Sequence, residues 1–113
     1  MIKKIECIIR PTKLEDIKDA LSKMDVVGMT ITPVKGFGRQ KGFVKAAKGS
    51  QKAQFVDKIL ISIVTGEDDV EKVIEIVQSL ANTGKIGDGK IFVSGVEDVI
   101  RIRTKERGYR ALE

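Results

Sequence analysis

The sequence predicts a single α+β domain in which two helices pack on an antiparallel sheet. Three observations predict it. Two apolar stripes recur at helical spacing, short runs rich in β-branched residues flank each of them, and the order strand–helix–strand occurs twice around a long glycine-bearing segment. The chain has 113 residues, one domain over 1–113. A domain of that size buries roughly 60–70% of its unfolded-chain surface, enough for one core without staples.

Residues Ile2 to Arg10 read as a strand, with Ile5, Cys7 and Ile9 alternating along one face. Thr12 to Glu15 has the form of a capping box, and Leu14, Ile17, Leu21 and Met24 follow as a helical stripe. Met29 to Lys35 is a second strand after Gly28. Residues Gly36 to Gln54 show no sustained pattern. They carry Arg39, Lys41, Lys45, Lys48 and Lys52 and no acid, and a segment this long inside a compact domain is more often functional than passive. Phe55 to Val64 is nearly unbroken in apolar residues and predicts a third strand buried on both faces. Thr65 to Asp68 again resembles a capping box, Val70, Val73, Ile74, Val77 and Ala81 form the second stripe, and Gly84 marks its stop. Lys90 to Ser94 is a fourth strand, Ile100 to Arg103 alternates like another, and the polar tail from Thr104 is expected to fray. This is the order of a ferredoxin-like βαββαβ sandwich. Both sheet faces look apolar while the helices cover one, which predicts self-association.

Composition narrows the chemistry. Cys7 is the one cysteine, so no disulfide forms within the chain, and a reducing cytoplasm fits. Without histidine, the commonest zinc ligand and the Ser-His and Cys-His nucleophile pairs are missing. No secretion signal or membrane span is expected, because Glu6 and Arg10 interrupt the first apolar run and Ile59 to Val64 is too short to cross a bilayer. The net charge of +5 suits anionic ligands without selecting one.

Three segments are compatible with anions. Lys35 to Gly38 opens like an RNA-recognition signature, but Arg39, Gln40 and Lys41 stand where stacking aromatics belong. Gly84 to Lys90 matches the G-x-x-x-x-G-K part of a phosphate loop, yet Ile91 replaces the magnesium-binding hydroxyl and the segment runs from helix to strand. Gly87 and Gly89 still permit close backbone approach, and Lys90 adds a charge. An ordinary helix-to-strand turn is the alternative. Arg101 and Arg103, on one side of a strand, could clamp phosphates or form a solvated edge.

Taken together, these segments resemble the PII family of nitrogen-status signalling proteins. Gly36-Phe37-Gly38-Arg39-Gln40-Lys41-Gly42 resembles the start of its T-loop, here about 37–55, and Thr83 to Val93 resembles its C-terminal signature. Val99 to Thr104 and Ile8-Ile9-Arg10-Pro11-x-Lys13-Leu14 also fit, so the resemblance spans nearly the whole chain. It implies a homotrimer of ferredoxin-like subunits, not an enzyme, with ATP or ADP bound between neighbours. Gly38, Arg39, Gln40, Gly87, Asp88, Gly89 and Lys90 would surround the phosphates, Arg101 and Arg103 would reach them from the adjacent subunit, and Thr30 and Val64 would lie near the adenine. Gln40 would ligate magnesium. Gln40, Lys41, Gly42 and Lys58 would hold 2-oxoglutarate. Target proteins would be ammonium transporters or nitrogen-metabolism enzymes, and no nucleic acid is implied.

The chain departs from the family at several places. Lys52 stands where the family has its uridylylated Tyr, so uridylylation is not expected, and the loop is one residue shorter before Phe55. Ser50 matches a position phosphorylated in some members, and Ser62 replaces a Glu common near the adenine. Two alternatives stay open: a nucleotide-binding paralogue without 2-oxoglutarate sensing, and a nucleic-acid module using the basic loop.

Overall fold

The structure, a computed structural model, describes residues 1–26, 28–37 and 54–113, with the backbone alone of 43–45 and 51–53. The elements are β1 (Ile2–Ile9), α1 (Leu14–Ser22), β2 (Thr30–Gly36), β3 (Phe43–Lys45), β4 (Gln51–Ala53), β5 (Val56–Gly66), α2 (Val70–Ala81) and β6 (Lys90–Val96). Four strands form one antiparallel sheet in the order β2-β5-β1-β6. This is the expected ferredoxin-like α+β arrangement. Within the segment expected to lack regular structure, β3 and β4 pair as a separate hairpin, with Phe43 opposite Ala53.

The period of two decides the core. Ile5, Cys7 and Ile9 of β1 and Ile61 and Ile63 of β5 share one sheet face with Ile17 and Leu21 of α1 and Val73 and Val77 of α2, all fully or almost fully buried. Each such aliphatic side chain contributes about 1.5–3 kcal/mol by leaving water. Cys7 belongs to this core, and burial pushes its thiol pKa up to about 11, which makes it an inert packing residue.

Four expectations need correction. First, β5 is not buried on both faces within one chain. Ile61, Ile63 and Thr65 are buried, but Leu60, Ser62 and Val64 between them are only half-buried, because the helices cover one face. Phe92 of β6, opposite Glu6 and so on the uncovered face, is 50% exposed. Second, no side chain caps either helix. Pro11 opens a 3-10 turn that Lys13 N–H closes onto the Arg10 carbonyl at 3.0 Å, and Pro at that position has no N–H to satisfy. Thr65 is buried within β5, so its hydroxyl does not reach the second helix start, where Glu67, Asp68 and Asp69 instead meet the dipole.

Third, Ile100 to Arg103 is not a strand. A single bridge joins Ile100 to Arg107, and Lys105, with φ 65°, turns the chain between them. The alternation misled because it has no buried face: Ile102 is 95% exposed. Fourth, the polar tail from Thr104, expected to fray, folds back. Gly108–Leu112 forms a short 3-10 helix, and the Tyr109 hydroxyl accepts from the N-terminal ammonium at 2.5 Å. Among the described residues, no helix is long and apolar enough to cross a membrane.

Candidate functional site

The glycine segment between α2 and β6 is a turn locked from behind. Gly84, Gly87 and Gly89 all have positive φ, at 80°, 106° and 103°. Gly89 is required for a further reason: a Cβ there would lie 1.7 Å from the Ile8 carbonyl oxygen, so the turn presses backbone to backbone on β1. Asp88 ties the turn together. Its carboxylate accepts from Thr83 N–H at 2.7 Å, the Thr83 hydroxyl at 2.5 Å and Gly84 N–H at 3.0 Å. Arg10, just past the end of β1, donates Nε to Asp88 at 3.2 Å and Nη2 to the Ile86 carbonyl at 2.9 Å. The Thr83 hydroxyl above all, with the Thr83 amide, Arg10 and Gly84, holds the Asp88 carboxyl well below the usual carboxylate range.

Lys58 sits on the uncovered face of β5 yet is buried, and its Nζ donates to the Gly87 carbonyl at 2.5 Å. Burial, and then the neighbouring Arg10 charge, lower its pKa, with Asp88 pulling the other way. A cleft of about 510 Å³ opens beside it, lined by Lys58, Gly87, Gly89, Lys90, Gly36 and Phe37 together with apolar Ile8 and Phe92. Backbone turn, buried ammonium and a second lysine make an electropositive pocket suited to an anion.

The structure therefore brings Gly87, Gly89, Lys90 and Lys58 together. Asp88 adjoins them, but its carboxyl is spent inward on the turn. Gly38, Arg39, Gln40, Lys41 and Gly42 lie outside the described residues, although Gly36 and Phe37 lead the chain there from the cleft wall. Ser50 and the side chain of Lys52 also lie outside them. Thr30 and Val64 line a different cleft with Ser62 and Leu112, at the other end of the sheet. Val64 is six residues along β5 from Lys58, on the same face, which is about 20 Å at the strand rise.

Arg101 is occupied at home. Its Nη1 donates to Glu106 at 2.6 Å, and its Nη2 donates to the carbonyls of Arg110 and Glu113. Arg103 is exposed and makes no hydrogen bond or ion pair among the described residues. No group of three or more metal-ligating side chains occurs among the described residues, and Gln40, the expected magnesium ligand, lies outside them. Sequence reasoning missed Arg10 as the partner of Asp88 and Glu106 as the partner of Arg101. A lone acid in a glycine turn needs a cation nearby, and antiparallel pairing of β1 with β6 places the end of one beside the start of the other.

Comparison with known proteins identifies the family. The family model described as nitrogen regulatory protein P-II matches residues 2–106. Proteins named nitrogen regulatory protein P-II from Mesorhizobium japonicum and Porphyra purpurea are 49% and 52% identical over 112 residues, covering 98% of this chain and 100% of theirs. Among solved structures, a Bacillus subtilis GlnK–ATP complex is similar at a TM-score of 0.82 and 34% identity, covering 98% of this chain and 95% of that one. Arabidopsis thaliana PII bound to citrate is similar at a TM-score of 0.79 and 42% identity, covering 97% and 91%. The chain belongs to the P-II family of nitrogen regulatory proteins, which are signalling regulators and not enzymes.

Proposed function

We propose that this protein binds ATP or ADP at the glycine turn, senses 2-oxoglutarate beside Lys58, and reports both to target proteins through the loop over 37–55. The observation that carries the reading is the buried Lys58 ammonium beside the locked turn, a pairing of fixed charge and backbone suited to anions. The ATP of the Bacillus subtilis neighbour and the citrate of the Arabidopsis one, a carboxylate anion like 2-oxoglutarate, support the two ligand classes.

Gly87, Gly89 and Lys90 would hold phosphate oxygens, with Gly38, Arg39 and Gln40 closing over them. Magnesium held by Gln40 would supply the positive charge that lets two anions lie side by side. Lys58 would give up the Gly87 carbonyl for the distal carboxylate of 2-oxoglutarate, whose other end would meet Lys41 and Gly42.

Thr30 and Val64 are too far from the turn of their own chain to share one nucleotide with it. They would complete the site of a neighbouring copy in a homotrimer, with Arg101 and Arg103, and the half-buried sheet face supports such association. The setting would be the cytoplasm, with an ammonium transporter or a nitrogen-metabolism enzyme as target. Because Lys58 already has a partner in Gly87, a second reading stays in view: a member that binds nucleotide alone.

Calorimetric titration of 2-oxoglutarate with and without magnesium-ATP tests the proposal. The expected result is binding only when magnesium-ATP is present, with ATP tightened by the same factor in return. Equal binding without ATP would overturn it, and no binding in either case would leave the nucleotide-only reading.

A further inference from the structure

Two cations act on three successive residues of the turn. Arg10 takes the Ile86 carbonyl and the Asp88 carboxylate, and Lys58 takes the Gly87 carbonyl between them. All peptides are trans, so each carbonyl points opposite to the N–H across its own peptide plane. Drawing the Ile86 and Gly87 carbonyls toward the cations therefore turns the Gly87 and Asp88 N–H groups away from them. Neither N–H has a hydrogen-bond partner among the described residues. Consecutive amides left open in this way form a nest that receives an oxyanion.

We propose that Arg10 is the positioning residue of this nest: it brackets the turn at two points, never touches the nucleotide, and sets where the phosphate-binding amides aim. The inference rests on the nucleotide reading above. Its chemical basis is the guanidinium fork, which reaches Asp88 and Ile86 from two separate nitrogens; an ammonium has all its donors on one atom and cannot reproduce that geometry. The bracket also divides labour. When Lys58 leaves the Gly87 carbonyl for a carboxylate ligand, Arg10 still holds the residues on either side, so the nucleotide half of the site keeps its shape while the other half changes partner.

The test is Arg10→Lys in the full chain, which keeps the charge and removes the two-nitrogen fork. Two measurements are made: ATP association and dissociation rates, and amide exchange at Thr83 and Gly84 in the free protein. Expected are faster exchange at both amides, ATP dissociation accelerated about five- to tenfold, and an association rate within about twofold of wild type because the charge is kept. A change confined to association would make Arg10 a steering charge and overturn the proposal. So would faster exchange with unchanged ATP dissociation, or no change in either. A wild type that binds no ATP would sink the nucleotide reading and with it the phosphate role, while the exchange data would still report separately whether Arg10 holds the turn.

Discussion

The two loops that flank β6 are each held by an arginine–carboxylate pair, and the two pairs act in opposite ways. Before the strand, the Arg10–Asp88 pair lies behind the turn and leaves Lys90 and the Gly87 and Asp88 amides without a partner among the described residues. After the strand, Arg101 is itself the residue expected to meet phosphate, yet Glu106 and the carbonyls of Arg110 and Glu113 already hold it. One half of the candidate site is preformed. The other must exchange an internal partner for a ligand, and that exchange subtracts from affinity.

The largest effect should come from the preformed half. Gly89→Ala puts a methyl into the Ile8 backbone at a residue with positive φ, so the turn must move and ATP binding should fall below detection. Calorimetry showing near-normal ATP affinity in that variant would mean that the turn does not hold the nucleotide. Lys90→Ala and Arg103→Ala each remove a cation that is unpaired among the described residues and should weaken ATP about tenfold or more, since charge-assisted hydrogen bonds contribute roughly 1.5–3 kcal/mol. Arg101→Ala should cost less than Arg103→Ala, because part of its gain is spent on leaving Glu106. The reverse ranking in a fluorescence titration would break the comparison.

A smaller effect sharpens it. Glu106→Gln takes away the charged acceptor of Arg101 and should tighten ATP about two- to fivefold, the scale of a partly exposed ion pair. Weaker binding would show that Glu106 orients Arg101 rather than competing for it.

The pH dependence should be smallest. The folded pKa of Asp88 is depressed, so its contribution is present above the unfolded value and fades only as pH falls through the folded one. Between about pH 7 and pH 5 the free turn should therefore keep its structure, read as unchanged amide chemical shifts at Thr83 and Gly84, since even an unperturbed Asp titrates near 3.9. Lys58 is lowered, so its buried charge costs stability at neutral pH, and that cost shrinks as pH rises from its folded pKa and is gone above the unfolded value. Over the same alkaline interval, 2-oxoglutarate affinity should decline in wild type and stay level in Lys58→Arg. A decline of equal size in Lys58→Arg would assign it to another group.

Much of this was legible in the residues. Alternation in β1 and the stripes of α1 and α2 identify the core, because burial on one face imposes the period. Motif and resemblance point to Gly87, Gly89, Lys90 and Lys58, and the fold brings them to one cleft. The second half was harder. Ile100 to Arg103 has strand periodicity without a buried face, and Lys105, a non-glycine residue at positive φ, gives no sequence sign that the chain turns there. Nor does local pattern reveal that Arg101 pairs with a glutamate five residues on. The both-sided burial expected of β5 failed for a physical reason of another kind: one chain has helices for only one face.

The shared cleft can be tested directly by mixing. Lys90→Ala and Arg103→Ala chains should each bind ATP poorly alone, since one spoils the turn and the other the neighbour's arginine. Unfolded together in equal amounts and refolded, they should form about one intact interface in four, because a sound turn must meet a sound arginine by chance. ATP calorimetry on the mixture should then recover wild-type affinity at about a quarter of the sites. No recovery would contradict a site built between two copies.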